Sequence, residues 1–265
     1  MELEYFHLRR YPFERNTPVG ELFPFVQFQE AQARLRYCIE RHAISLLTGE
    51  VGCGKSTVLR ALASSLPDTK YRFIYISDRG LLERAFYDLV LTELGVIPSY
   101  LLVRMKRQFR EAVLGLAQRG VTLVLAIDEA HELKPEMLQE IRHFTNFEMD
   151  SSSPFSLILC GEPQLRATLH LRAFSAIFRR VEVQYHLAGM GKSEMRPYIA
   201  HELKMAGCER PLFPDEVMER IYDYSKGAIW LVNRLCKGCL LDAYAKRQQV
   251  VDVDNLKRVI EELAF

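Results

Sequence analysis

Residues 46–66 read LLTGEVGCGKSTVLRALASSL. The run begins apolar, passes three glycines within six residues (Gly49, Gly52 and Gly54), and resumes with an amphipathic pattern. Gly49-Glu50-Val51-Gly52-Cys53-Gly54-Lys55-Ser56 fits G-x-x-x-x-G-K-[ST] between a strand-like run at 43–49 and a helical pattern from Lys55 to about Leu66. Glycine lets the backbone turn successive N–H groups inward around an anion, and a helix beginning near Lys55 adds its positive end. Residues Gly49 to Ser56, with Thr57, are therefore expected to cradle nucleotide phosphates. Lys55 is expected to reach the β- and γ-phosphates and Ser56 to ligate Mg²⁺. A glycine-rich strand-to-helix turn can also be purely structural, and a second motif decides between the two readings.

That motif is LVLAIDEAH at 123–131. An apolar strand ending in Asp128-Glu129 puts one carboxylate at the Mg²⁺ shell and the next where water can sit. Asp128 is expected to coordinate the ion, directly or through water, and Glu129 to orient and polarise the attacking water. With the phosphate loop, this implies hydrolysis of ATP, with ATP and Mg²⁺ as the ligands.

The bulk properties agree with a folded enzyme and exclude some classes. The chain has 265 residues, 49% of them apolar, so a sizeable core is available. Its 35 basic and 34 acidic residues nearly cancel. This excludes positive charge spread over the whole surface but permits a local basic stripe. No apolar run approaches the roughly 18 residues of a membrane span, and MELEYFHLRR lacks the pattern of a secretion signal or transit peptide. The expectation is a cytoplasmic protein without a membrane. Of six cysteines, Cys236 and Cys239 form a lone C-x-x-C inside a helical pattern, which predicts buried thiols.

Short β-branched runs alternate with amphipathic stretches. Strands are expected at 43–49, 71–77, 121–128, 155–161 and 181–187, with helices at 55–66, 80–94 and 101–119. After Gly189-Met190-Gly191 only helical patterns follow, at 192–206, 215–225, 230–246 and 254–263, with Asp252 placed to cap the last. The reading is an α/β domain over 1–189, a five-stranded parallel sheet with helices on both faces, followed by a small all-helical lid domain over 190–265.

One helix carries a further signal. In LLVRMKRQFREAVLGLA (101–117), Leu102, Met105, Phe109, Ala112, Val113 and Leu116 share one face, while Arg104, Lys106, Arg107 and Arg110 share the other. Such a stripe is either a solvated face or a set of phosphate contacts to double-stranded DNA that position without reading sequence.

On these motifs, together with YFHLRRYPF, LCGEPQLR, FRRVEV, YIAHELKMAG and GAIWLVNRLC, the chain resembles the AAA+ P-loop ATPases. It is more closely similar to their ExeA-like group, which in turn resembles the transposon target-selection ATPases of the TnsC, TniB and MuB type. The resemblance implies a homo-oligomer, ring or helical filament, in which Arg179 or Arg180 reaches the neighbouring subunit's ATP. It places Glu162 at the sensor position that touches the γ-phosphate or the water, where similar chains carry Gln. It places Trp230 where similar chains carry an arginine, with Arg234 one turn later. Because the chain ends at Phe265 straight after the lid, the resemblance favours the transposon-type members, which assemble on DNA and recruit a transposase. The alternative is a secretion-related or protein-remodelling ATPase that does not bind DNA.

Overall fold

The computed structural model describes residues 2–78, 80–147 and 153–263. In chain order the helices and strands are α1 (Glu2–Tyr5), α2 (Val26–Glu40), β1 (Ile44–Gly49), α3 (Lys55–Ser65), β2 (Tyr71–Ile76), α4 (Glu83–Glu93) and α5 (Leu102–Gln118). There follow β3 (Thr122–Ile127), α6 (Pro135–Phe144), β4 (Phe155–Gly161), α7 (Pro163–His170), α8 (Ser175–Phe178) and β5 (Val181–Leu187). The chain closes with α9 (Lys192–Met205), α10 (Asp215–Ser225), α11 (Ile229–Ala245) and α12 (Val253–Leu263). It divides into two compact units: Glu30–Gly49 with Lys55–Leu187, and Met1–Gln29 with Glu50–Gly54 and Ala188–Phe265. Among the described residues no helix is long and apolar enough to cross a membrane.

The first unit is a parallel sheet of order β2-β3-β4-β1-β5 with helices on both faces. The aliphatic runs predicted as strands end within a residue of their expected bounds. β1 and β4 are buried throughout, and the edge strands β2 and β5 are only partly buried, as expected where helical crossovers cover both faces. Register brings the strand ends together: Thr48 lies opposite Gly161, and Ile127 opposite Leu159. Gly49, Asp128 and Glu162 therefore emerge at one carboxyl edge, the edge where open α/β sheets bind ligands. One side is packed by aromatic rings, with Phe86 stacked on Phe144 at 4.8 Å and Phe109 edge-on to Phe155 at 6.0 Å. The helices not anticipated include α1 and α2, and also α6 and α7, the last two each beginning with proline in the first turn.

The second unit is helical, and the N-terminal segment groups with it rather than with the sheet. This corrects the expected 1–189 boundary, and the cause is apolar. The Phe13 ring packs against Tyr198 and Phe213, and Tyr5 against Tyr244. The Phe13 N–H donates to the buried Glu202 carboxylate at 3.1 Å, and the Arg9 N–H to the Ala206 carbonyl at 2.7 Å. Asp252 caps α12 as expected: its Oδ1 accepts the Asn255 N–H at 2.8 Å while Asn255 Oδ1 accepts the Asp252 N–H at 2.7 Å. All six cysteines are buried free thiols. Cys239 is pushed up to about 12 by burial and then by Asp242, so the C-x-x-C pair is inert packing.

Candidate nucleotide site

Lys55 is the first residue of α3, and its side chain turns back along the strand that precedes it. Its Nζ donates to the Gly49 carbonyl at 2.8 Å, and the residue is only 6% exposed. Ser56 follows, exposed, and Thr57 is half-buried. Asp128, immediately after β3, is 3% exposed and accepts three hydrogen bonds. Its Oδ2 accepts the Ser56 and Tyr75 hydroxyls, each at 2.7 Å, and its Oδ1 accepts the Glu129 N–H at 2.9 Å. Burial and the neighbouring Asp128 carboxylate hold the Tyr75 hydroxyl well above the usual phenol range, so it remains a donor.

Ser56 Oγ and Asp128 Oδ2 test the fit to Mg²⁺. Adjacent ligands of an octahedral Mg²⁺ with bonds of about 2.0–2.1 Å lie about 2.9 Å apart. The two oxygens are already 2.7 Å apart and both are hard donors. The donor set fits the ion.

Glu129 has a left-handed backbone, φ 51° and ψ 34°, which is uncommon for a residue with a Cβ and points to a constrained site. Its Oε2 lies 3.4 Å from Nδ1 of His131, whose side chain is 4% exposed. The same Nδ1 accepts the Glu162 N–H at 3.3 Å, and His131 Nε2 lies 3.4 Å from Glu162 Oε1. With Nδ1 accepting, the neutral ring carries its proton on Nε2, directed at the Glu162 carboxylate. A Cβ on Gly161 would meet the ring at 3.1 Å, a contact tighter than side chains ordinarily make. Glu129, His131 and Glu162 bring potential ligand atoms within 4.8 Å of one another. The two imidazole nitrogens face different carboxylates, and only Nε2 has a proton to donate. Glu162 is thus hydrogen-bonded to His131, while the Glu129 carboxylate lies beside the same ring.

The turn of the phosphate loop belongs to the helical unit. Gly52 and Gly54 have φ of 76° and 104°, the left-handed region that glycine enters without strain. Cys53 is buried, while Glu50 and Val51 are exposed. The Cys53 N–H donates to the Glu50 carbonyl at 3.3 Å, and the Gly52 carbonyl accepts the Trp230 N–H at 3.1 Å.

The two arginines after α8 separate. Arg180 Nη1 donates to the Arg142 carbonyl at 2.9 Å and to Thr145 Oγ1 at 2.8 Å, which fastens it to the end of α6. Arg179, the C-cap of α8, is exposed.

The basic helix is α5, and its apolar face is as expected, with Met105, Phe109 and Val113 buried. Arg104, Arg107 and Arg110 are exposed. Arg107 lies 3.3 Å from Glu111, and Arg110 stacks at 4.5 Å over the Phe147 ring. Lys106 leaves the stripe. It pairs with Glu83 and, at 3.0 Å, with Glu140, whose side chain is 7% exposed. A carboxylate that deep needs a counter-charge, and Glu140 also accepts the Tyr87 hydroxyl at 2.6 Å. Removing the carboxylate in Glu140→Ala leaves a buried hydroxyl without its acceptor, so the variant is expected to lose about 1–3 kcal/mol of unfolding free energy in urea titration. An unchanged midpoint shows that the network carries no stability.

His131 and Tyr75 were not anticipated as site residues. His131 stands within the quoted IDEAH run, and Tyr75 is the penultimate residue of β2, the strand next to β3, so their positions were visible while their roles were not.

The AAA domain family matches residues 39–169. General secretion pathway protein A of Aeromonas hydrophila is 30% identical over 250 residues, 93% of this chain and 45% of that protein. The chain thus spans less than half the length of that relative. The Aeropyrum pernix ORC2 protein, in its ADPNP-ADP complexes, aligns with a TM-score of 0.68 at 16% identity, over 94% of this chain and 70% of that one. The Aeropyrum pernix ORC1 protein in complex with DNA gives 0.67 at 16% identity, over 94% and 68% of the two chains. The structural likenesses show the P-loop AAA+ fold, and the sequence similarities are to the AAA domain family and to that secretion-pathway protein.

Proposed function

We propose that this chain binds ATP with Mg²⁺, hydrolyses it, and assembles in its ATP form as a homo-oligomer, a ring or helical filament, on double-stranded DNA. In this reading it is a cytoplasmic protein, without a membrane, that regulates transposition by selecting targets and recruiting a transposase. The observation that carries the ATPase reading is the Ser56 hydroxyl 2.7 Å from the buried Asp128 carboxylate, beside a lysine at the head of α3. Bound Mg²⁺ supplies neutralisation of the phosphate charge, held by Ser56 and Asp128. Lys55 holds the phosphates as a point charge. The Tyr75 hydroxyl and the Glu129 N–H fix the orientation of Asp128. Glu129 accepts the proton of the attacking water. Glu162 orients His131 beside the Glu129 carboxylate. Arg179, exposed at the end of α8, completes the site of a neighbouring subunit.

The DNA part of the reading rests on Arg104, Arg107 and Arg110 along the outer side of α5, and on analogy of fold with a structure solved on DNA. Replacing these three arginines by alanine is expected to weaken binding about equally for all duplex sequences. Each lost phosphate contact should flatten the slope of log affinity against log salt by about 0.9. Fluorescence anisotropy with labelled duplexes across a salt series reads both quantities. Lys106→Ala, by contrast, is expected to leave the slope unchanged.

A second reading is favoured by the secretion-pathway relative: an ATPase that drives a protein partner and ignores DNA. Duplex DNA that fails to stimulate ATP turnover, and unchanged anisotropy in the triple variant, would select it.

A further inference from the structure

The N-terminus of α11 is fitted to the turn of the phosphate loop. The Trp230 N–H donates to the Gly52 carbonyl at 3.1 Å. The indole lies so close to Gly52 that a Cβ there would fall 1.5 Å from its Cδ1, and Ile229 stands 3.4 Å from the corresponding point on Gly54. A second backbone clasp sets where α11 begins. Gly227, with φ 81°, approaches Met190 so closely that a Cβ would meet its carbonyl oxygen at 2.0 Å, and the Met190 N–H donates to the Gly227 carbonyl at 3.0 Å. Ala228, Ile229 and Trp230 follow directly from this lock.

In a loop that binds an anion, N–H groups converge on the concave side and carbonyls point outward. Gly52, like Gly54, is able to lose that arrangement, because glycine has the widest conformational freedom. A donor on its carbonyl and a ring against its α-carbon remove that freedom.

We propose that Trp230 is a positioning residue for nucleotide binding: its backbone and indole hold Gly52 in the anion-binding conformation and transmit occupancy of the loop to α11. The inference rests on the ATP-binding reading above. It also names the chain's only tryptophan, still 39% exposed, so the contact carries its own spectroscopic reporter.

The experiment is a titration of the unmodified protein with Mg-ATP, following tryptophan emission in parallel with direct binding of radiolabelled ATP. Emission is expected to change and to saturate at the concentration at which the radiolabel saturates. Trp230→Ala is expected to raise the dissociation constant of radiolabelled ATP about tenfold, and Trp230→Phe to restore most of the affinity. The Trp230→Ala melting temperature shows whether the variant is folded. Saturable radiolabel binding with unmoved emission overturns the inference even if Trp230→Ala fails to fold. A folded Trp230→Ala protein that binds ATP like the parent also overturns it. Absence of radiolabel binding to the parent protein instead sinks the ATP reading itself, and this inference with it.

Discussion

Lys55→Ala protein is expected to lose measurable ATP binding, whereas Glu129→Gln protein should bind ATP as the parent does and hydrolyse it about 10²–10⁴ times more slowly. The two residues act on different species. Lys55 places one positive charge in a 6% exposed position at the head of α3, where, in the proposed function, it faces bound phosphate in the ground state. Its removal takes away attraction that exists before any reaction. Glu129 touches nothing that the ground state needs. Its carboxylate, held 3.4 Å from His131, is required only when a water must give up a proton. The amide of glutamine keeps the shape and abolishes the basicity. Glu129→Gln should therefore trap the ATP-bound assembly, visible as larger particles in ATP by light scattering. Equal loss of radiolabelled ATP binding in both variants would remove this division of roles. The Lys55→Ala comparison also needs a melting curve, because Nζ anchors the Gly49 carbonyl. A folded variant that still binds ATP tightly would refute the assignment of Lys55.

Most of the sheet and the phosphate loop were legible because their signals are local. β1 and β4 are short aliphatic runs buried on both faces, and glycine followed by lysine and serine at a strand end admits few other uses. What was missed depends on partners distant in sequence. Tyr75 reaches Asp128 across 53 positions and His131 meets the Glu162 N–H across 31, separations at which spacing carries no information. Helical period correctly separated the buried from the exposed side of α5. It did not say what faces Lys106, and a buried Glu140 on α6 withdrew that lysine from the stripe. The N-terminal segment failed for a related reason. Its aromatic residues predict burial but not against which element, and Phe13 is buried against Tyr198 and Phe213. The starts of α6 and α7 were readable in principle from Lys134-Pro135 and Glu162-Pro163, since proline suits the first helical turn.

Arg179→Ala should lower ATP turnover by about a thousandfold or more at protein concentrations where the parent assembles, while leaving ATP binding by the isolated subunit intact. The structure separates the two neighbouring arginines. Arg180 is committed to the Arg142 carbonyl and to Thr145 within its own subunit. Its replacement should appear first as a lower melting temperature. Arg179 is exposed at the C-cap of α8, and in the proposed assembly it meets the developing charge on another subunit's phosphate. Such a contribution is made in trans, which allows a mixing test. A Lys55→Ala subunit cannot bind ATP but still presents Arg179. An Arg179→Ala subunit binds ATP but lacks the finger. In an equal mixture with head-to-tail contacts, about one interface in four joins an intact ATP site to an intact arginine. Turnover should therefore rise to roughly a quarter of the parent rate per interface, from two preparations that are each nearly inactive. No recovery, in a mixture shown by light scattering to co-assemble, would place the arginine's action within its own chain or remove it from the reaction.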